Sequence, residues 1–330
     1  MDFQEIVLKY FVKENIESIK NFNGKVIITL KNIEEKAALA QSLKEEISKF
    51  EEVKKVSIIF TKNVNQAAIA PEIEKWKING VKKIIGVASG KGGVGKSTTA
   101  VNLSLALSNL GLKVAVFDAD IYGPSLPTML GFENMPPISL DGKLFEPFSN
   151  FGVKATSIGA LIGRDTPLIW RGAKACGAIE QLLTETNWGE IDSMVIDMPP
   201  GPGDIQITLS QRIDFDGIVI VSTPQDIALI DAVKGVNMFK KIGVKILGIV
   251  ENMSYYLCEK CGHRANIFGF EGAKKTAHNM GEKFLGEIPL HFEIRENADN
   301  GTPIVMAKPD SEHTKAYEKI AQKIIDDFKQ

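Results

Sequence analysis

The sequence predicts an α/β protein with a doubly wound, mostly parallel sheet, preceded by a small α/β module. The main observation is a series of short apolar runs from residue 81 onward: KKIIGVAS, KVAVFDAD, SMVIDMPPG, GIVIVSTP, KILGIVENM and FLGEIPL. Nearly continuous apolar runs are typical of strands buried on both faces. Helical patterns lie between the runs, which indicates right-handed crossovers between parallel strands. Ligands of such a sheet gather beyond the carboxyl ends of its strands.

Residues 1–62 are predicted to form the small module, because KVIITLK and KKVSIIF alternate β-branched residues as strands do. The expected elements are a helix over 3–13, a strand over 25–30, a helix over 33–50 and a strand over 54–60. A polar, alanine-rich stretch over 63–80 is interpreted as a linker, with Pro71 and Gly80 as its breakers. The main domain is then 81–330.

Charge and hydropathy argue against two classes of partner. Lysine and arginine total 39 and the acids total 41, and the basic residues are scattered along the chain. Nucleic acid is therefore not expected as a partner. No run reaches the roughly 18 apolar residues of a membrane span, and the start, MDFQEIVLKYF, lacks the pattern of a secretory signal. We expect a cytoplasmic protein without a membrane partner.

A phosphate-binding loop follows the run KKIIGVAS and precedes the helical pattern AVNLSLALSNLG. It fits the motif G-x-x-x-x-G-K-[ST] in its required strand-to-helix context, which predicts a P-loop ATPase domain that binds MgATP. A bare glycine-rich turn is the alternative, but it would need neither Lys96 nor Ser97. Lys96 is expected to reach the β- and γ-phosphates, and Ser97 to offer its hydroxyl to Mg²⁺. The predicted nucleotide-binding residues of this loop are Gly90, Lys91, Gly92, Gly93, Val94, Gly95, Lys96, Ser97 and Thr98.

Acidic residues end two further predicted strands. KVAVF ends in Asp118 and Asp120, and SMVI ends in Asp197. Aspartates in these places can hold Mg²⁺ or orient an attacking water, which favours ATP hydrolysis over mere binding. Each could instead be a helix cap or a turn residue. Two such strand ends beside a P-loop favour the catalytic interpretation.

The three cysteines are too few for a disulfide framework, but Cys258 and Cys261 form a close pair. Two thiolates at this spacing suit a soft metal, whereas zinc sites and iron-sulfur clusters usually need four ligands. One chain thus supplies half a site, which a twofold dimer would complete. His263 could be a third ligand, but a histidine beside a turn is more often solvated, and Cys176 is interpreted as a small buried thiol. Zinc remains the alternative occupant, and a dithiol redox pair is disfavoured by its late position in the chain.

Lys91 within GKGGVGKST, DADIYGPS at 118–125 and DMPPGPGD at 197–204 resemble the deviant Walker A, switch I and switch II segments of the ParA/MinD/NifH class of ATPases. Within that class the sequence is similar to the Mrp/ApbC-type iron-sulfur cluster carriers over about residues 81–310. Further similarity lies in WRG, ENMSYYLCEKCG and IPLHFEIRENADNGTPIV.

The resemblance implies roles for individual residues. Lys91 would cross a dimer interface to the partner's phosphates. Asp120 would polarise water from switch I, and Asp197 would be the magnesium-associated aspartate of switch II. Asn252 and the segment around Pro289 would hold the adenine.

The resemblance also implies that Cys258 and Cys261 hold a bridging [4Fe-4S] cluster in a homodimer. The function expected from it is ATP-dependent transfer of that cluster from a cluster donor to apo iron-sulfur proteins. One alternative is a spatial-organisation ATPase of the ParA/MinD kind. Another is electron transfer of the nitrogenase-reductase kind, which is disfavoured because that family places its cysteines elsewhere.

The two ends of the chain give weaker signals. The small module lacks the cysteine and the Asp-Pro-Glu segment usual in related proteins, which favours a docking role. The last 20 residues predict an amphipathic helix whose polar face mixes both charges, so we expect it to pack on the domain rather than on a membrane. Its apolar face comprises Tyr317, Ile320, Ala321, Ile324 and Phe328.

Overall fold

The structure, a computed structural model, describes residues 3–22, 24–31, 37–61, 73–133, 135–161 and 172–329. The chain divides into two compact units, Met1–Glu72 and Ile73–Gln330. Across the described ranges, no helix is both long enough and apolar enough to cross a membrane.

The first unit is a three-stranded sheet covered by two helices. Its elements are α1 (Gln4–Tyr10), a 3-10 turn (Lys13–Asn15), β1 (Ile16–Phe22), β2 (Lys25–Lys31), α2 (Ala37–Ile47) and β3 (Lys55–Thr61). β1 pairs antiparallel with β2, and β2 pairs parallel with β3. The helices bury Val7, Leu43 and Ile47 against the sheet, where Ile28 is fully buried.

Sequence analysis missed β1, which has no fully buried residue among the positions whose exposure is described. The missed signal is the Asn23-Gly24 dipeptide after it, since Asn-Gly between two strands is a strong hairpin signal. Gly24 has a φ of 84°, which a hairpin turn favours. The predicted helix over 33–50 corresponds to α2, and residues 32–36 lie outside the described residues.

The described strands of the second unit are β4 (Ile84–Ser89), β5 (Val114–Asp118), β6 (Phe148–Asn150), β7 (Val153–Ser157), β8 (Ser193–Asp197), β9 (Gly217–Ser222), β10 (Ile246–Glu251), β11 (Tyr256–Leu257), β12 (Arg264–Ala265) and β13 (Phe284–Glu287). Eight of them form one sheet between two layers of helices, and their order is β13-β10-β9-β4-β8-β5-β7-β6. β11 and β12 form a separate two-stranded sheet. Only β6 runs antiparallel to its neighbour in the described part of the eight-stranded sheet. The fold class predicted from the apolar runs is confirmed, because β4, β5, β8 and β9 are buried at every residue.

Helices cover both faces of this sheet. They are α3 (Lys96–Asn109), α4 (Leu126–Met129), α5 (Gly172–Thr184), α6 (Asp204–Arg212), α7 (Asp226–Ile242), α8 (Gly272–Met280), α9 (Phe292–Asp299), α10 (Ile304–Ala307) and α11 (Glu312–Phe328). One apolar core includes α3 and α11, and the other includes α5 and α7. The predicted packing of the last helix is confirmed, since Tyr317, Ile320 and Ile324 are at most 1% exposed.

The second unit begins at Ile73, whereas Val81 was predicted as the start of the domain. The difference arises because Trp76 is only 8% exposed and lies in the core that contains α5 and α7. The backbone N–H of Trp76 donates to the Arg212 carbonyl at 2.7 Å. Of the predicted linker, residues 63–72 lie outside the described residues.

Candidate nucleotide and cysteine sites

The phosphate loop leaves the carboxyl end of β4 and enters the amino terminus of α3. Gly93 and Gly95 have φ values of 81° and 80°, which strongly favour glycine. A Cβ built at Gly92 or Gly93 would have no described atom within 4 Å, so the loop is uncrowded at these two positions. A Cβ at Gly90 would lie 2.3 Å from the Asp231 carbonyl oxygen of α7. The loop is thus fixed against α7 on one side and leaves room for phosphates on the other.

Parallel pairing brings the predicted acids beside this loop. β8 lies between β4 and β5, so that Asp197 is in register with Val87 on one side and with Asp118 on the other. Strands β5 and β8 therefore end next to the P-loop, as expected from the sequence.

Lys96 lies at the centre of a buried charged cluster and is 6% exposed. Its Nζ is 2.5 Å from Asp197 Oδ1, 3.2 Å from Ser97 Oγ and 3.6 Å from Asp120 Oδ2. Asp120 is 7% exposed and Asp197 is fully buried. The structure thus brings together four residues that the sequence predicted for phosphate and magnesium chemistry.

Asp118 has a different environment within the same region. Its Oδ1 accepts the Asp120 N–H at 3.0 Å, and its Oδ2 accepts the N–H groups of Ser125 and Leu126 at 3.0 and 3.1 Å. The Ser157 hydroxyl donates to Oδ2 at 3.0 Å. Burial, with the nearby Asp197 charge, raises the pKa of Asp118. The carboxyl group holds the 120–126 loop in place, and its predicted part in the MgATP site stays a prediction.

Asp197 offers an unused oxygen. Within the described residues, its Oδ2 is buried and has no hydrogen-bond partner. Burial raises the pKa of this carboxyl group, and the Lys96 ammonium opposes that shift. A buried carboxylate oxygen beside the Ser97 hydroxyl suits Mg²⁺, a hard cation that prefers oxygen ligands. The residues present therefore fit a magnesium site.

Lys91 and Thr98 stand at the two ends of the loop. Lys91 is half-buried, its carbonyl accepts the Ser89 hydroxyl at 2.9 Å, and its ammonium has no ion pair in the described parts of the chain. The Thr98 carbonyl accepts from Asn102 Nδ2 at 2.9 Å. The Lys91 ammonium is thus available for a group outside this chain.

Asn252 and Pro289, the residues proposed to hold adenine, lie on adjacent segments. Asn252 follows β10, and its Nδ2 donates to the carbonyl of Val94 in the P-loop at 2.8 Å. Pro289 is buried and follows β13. The Ser254 N–H donates to the Ile288 carbonyl at 2.9 Å, which ties the two segments together. The structure brings both residues to the same edge of the sheet as the P-loop.

Sequence analysis missed two residues that organise these segments. Ser157 anchors the Asp118 carboxylate, as described above. Glu251 is fully buried, and its two oxygens accept the Ser254 hydroxyl at 2.5 Å and the Ala273 N–H at 2.6 Å. A charged residue that directly follows the apolar run ILGIV is the signal that could have identified Glu251.

The cysteine pair lies on a small hairpin between β10 and α8. β11 and β12 pair antiparallel, and the Cys258 N–H donates to the His263 carbonyl at 3.0 Å. Cys258 is half-buried, and Cys261 is exposed. The N–H groups of Cys261 and Lys260 stabilise the thiolate and lower the pKa of Cys258. This hairpin therefore holds one exposed and one half-buried free thiol.

The other two candidate ligands differ from this pair. His263 is exposed, and its side chain was interpreted as solvated. Cys176 is half-buried on α5, where burial raises the pKa of its thiol. Of the WRG segment that resembles the carrier family, residues 170 and 171 lie outside the described residues.

Comparisons with known proteins identify the family. Residues 80–325 match the family described as a NUBPL iron-transfer P-loop NTPase of the ParA type. The iron-sulfur cluster carrier protein of Escherichia coli K12 is 55% identical over 247 residues, which are 75% of this chain and 67% of that protein. The iron-sulfur cluster transfer protein NUBPL of Dictyostelium discoideum is 50% identical over 256 residues, 77% of this chain and 79% of that protein.

Solved structures show the same fold. A nucleotide-binding protein of Archaeoglobus fulgidus in complex with ADP aligns with a TM-score of 0.64 and 33% identity, over 73% of this chain and 93% of that chain. The cell division ATPase MinD of Pyrococcus furiosus aligns with a TM-score of 0.55 and 25% identity, over 74% and 98%. The chain therefore belongs to the ParA-type family of NUBPL iron-transfer P-loop NTPases.

Proposed function

We propose that this protein is an ATP-dependent iron-sulfur cluster carrier that works as a cytoplasmic homodimer. Two copies would hold one [4Fe-4S] cluster as cargo between their cysteine pairs, receive it from a cluster donor and pass it to apo iron-sulfur proteins. The observation that carries this proposal is a pair of free thiols on one hairpin, the half-buried Cys258 and the exposed Cys261, in a chain whose P-loop lysine, Lys96, forms a buried pair with Asp197. The names of its relatives, which describe cluster carriers, support the same function.

The chemistry of the cysteine hairpin supports a shared cluster. A [4Fe-4S] cluster usually takes four thiolates, and one hairpin supplies two. The lowered pKa of Cys258 favours the thiolate form that binds iron. Since Cys261 is exposed, a second hairpin can approach it without rearrangement of the core. Cys176, whose pKa is raised, is not needed.

The charged cluster supports ATP hydrolysis. In the described structure Lys96 is paired with Asp197, and a second carboxyl group, that of Asp120, faces the same ammonium. When the phosphates enter the loop, Lys96 would turn to them and release Asp197. Asp197 and Ser97 would then hold Mg²⁺, which neutralises charge on the transferred phosphoryl group. Asp120 would orient the attacking water.

The P-loop and the cysteine hairpin are linked through the segment that follows β10. Asn252 bonds to the Val94 carbonyl of the P-loop, and Cys258 follows only six residues later. A movement of the P-loop on nucleotide binding would therefore pull on the segment that carries the cysteine hairpin. We infer that ATP biases the dimer between cluster-holding and cluster-releasing states.

Anaerobic reconstitution with iron and sulfide tests the carrier function. A [4Fe-4S] centre contains four irons and four sulfides and needs four thiolates, two from each chain. We therefore expect about four irons and four sulfides per two chains. The Cys258→Ser/Cys261→Ser double variant should bind no cluster and lose the visible absorbance, whereas the matched control Cys176→Ser should keep both. One zinc without sulfide in the parent protein, or iron retained by the double variant, would exclude the proposed cargo.

A further inference from the structure

Three side chains with metal-binding atoms meet where α9 and α11 begin. One such atom from each of His291, Glu293 and His313 lies within 4.8 Å of the other two. The two imidazole rings have centroids 4.5 Å apart. His313 is 9% exposed, and the side chains of His291 and Glu293 are 10% and 21% exposed. None of the three belongs to the nucleotide site or to the cysteine pair.

His313 carries the unexplained polar atom of this cluster. Within the described residues, its Nδ1 is buried without a hydrogen-bond partner. Buried polar atoms are usually hydrogen-bonded, so an exception needs a reason. An unpartnered imidazole nitrogen can act as a metal ligand.

His291 and Glu293 keep one further ligand position each. His291 caps α9 by accepting the Glu293 N–H at Nδ1, and its Nε2 lies 3.2 Å from Glu259 Oε1. Lys308 pairs with Glu293 Oε1, while Oε2 lies 3.7 Å from His291 Nδ1. A helix cap with an ion pair would explain His291, Glu293 and Lys308. It leaves the buried nitrogen of His313 unexplained.

We propose that His291, Glu293 and His313 bind a divalent cation of borderline softness, such as Zn²⁺ or Fe²⁺, with Glu259 as the fourth ligand. Two imidazoles with carboxylates are a ligand set that suits these ions. Ligand atoms about 2.1 Å from a tetrahedral metal lie about 3.4 Å from one another, so the ligand atoms of His291, Glu293 and His313, now within 4.8 Å, would approach one another by about 1.4 Å at most on binding. Glu259 Oε1 already lies 3.2 Å from His291 Nε2, close to that spacing.

Through Glu259, the proposed metal site would connect to the cysteine hairpin. Glu259 lies between Cys258 and Cys261, so a cation bound to it tethers the cysteine hairpin to the starts of α9 and α11. The bound cation would thus fix the hairpin in one orientation. The proposal does not require that the cysteines hold a cluster.

Cobalt titration of the Cys258→Ser/Cys261→Ser protein, freed of metal by a chelator, tests the site without its thiols. We expect one Co²⁺ per chain, visible d–d absorption, and no thiolate-to-metal charge-transfer band. Adding His313→Gln or His291→Asn should weaken Co²⁺ binding at least about 100-fold, since even outer-shell partners are worth about 10- to 100-fold. His291→Asn keeps an acceptor for the α9 cap.

The matched control is His278→Ala, an exposed histidine on α8 away from the cluster, which should leave Co²⁺ affinity unchanged. Thermal unfolding checks that each variant is folded. If His313→Gln does not fold, His291→Asn decides alone. Equal Co²⁺ affinity in the His291→Asn protein and its parent, or no saturable uptake by that parent, would overturn the proposal. Because no protein in this series has the two cysteines, the outcome is independent of the cluster experiment.

Discussion

The charged cluster of the phosphate site is buried, whereas the cysteine hairpin carries an exposed thiol. Lys96 is 6% exposed and Asp197 is fully buried, and Lys96 makes contacts to three neighbours. Cys261 is exposed on a hairpin whose strands have two residues each. The comparison teaches that one chain brings the predicted nucleotide-site residues together, whereas it supplies only two of the four thiolates that the proposed cluster needs. Substitutions in the first should affect hydrolysis, and those in the second should affect only cargo.

The largest effect, a loss of ATP hydrolysis, is expected from Lys96→Ala. ATP hydrolysis should fall by about 10³-fold or more, because the phosphates lose their main protein cation. The Cys258→Ser/Cys261→Ser protein should keep hydrolysis close to the parental rate. Steady-state ATPase assays measure both, with the exposed Lys241→Ala as the matched lysine control. Parental turnover in Lys96→Ala would contradict the assignment of the phosphate site.

The next largest effect is expected from Gly95→Ala, which should lower the stability of the fold. In Gly95→Ala, the new Cβ would lie 2.1 Å from Asn252 Nδ2 at a φ of 80°, so both strain and a lost hydrogen bond follow. We expect the free energy of unfolding to fall by about 1–3 kcal/mol. Gly235→Ala is the control: its Cβ would meet no atom within 4 Å inside α7, and helix propensity should stabilise it by about 0.5–1 kcal/mol.

Urea unfolding of the two glycine variants gives these free energies. Gly95→Ala should also weaken ATP binding, because the new Cβ would displace the P-loop and Asn252 from each other. Equal stability of both variants and the parent would show that the contact between the P-loop and β10 does not constrain the loop.

The smallest effect on hydrolysis is expected from Lys91→Ala. Its ammonium has no ion pair in the described parts of the chain, so binding of nucleotide to one chain should remain near the parental affinity. If Lys91 acts on the phosphates of a second copy, hydrolysis should fall by about 10-fold or more at protein concentrations that support dimers. Turnover per chain should rise with concentration in the parent and not in the variant. Identical curves would make Lys91 a surface lysine.

What the sequence predicted well depended on strong local signals. The apolar runs of β4, β5 and β8, the glycines of the P-loop and the periodicity of α11 are all local, and the structure agrees with them. Two of the features that were missed, β1 and the histidine cluster, were missed for the opposite reason. β1 pairs at the edge of its sheet with no fully buried described residue, so its hydropathy pattern is weak. His291 and His313 are 22 residues apart, and only the packing of α9 and α11 brings them together.

The central claim is that the cluster lies between two chains. Native mass spectrometry of the anaerobically reconstituted protein tests it most directly, because it reports chains and cluster in one species. We predict a species of two chains with one [4Fe-4S] cluster, absent from the Cys258→Ser/Cys261→Ser protein. A single chain that carries a complete [4Fe-4S] cluster would contradict the account.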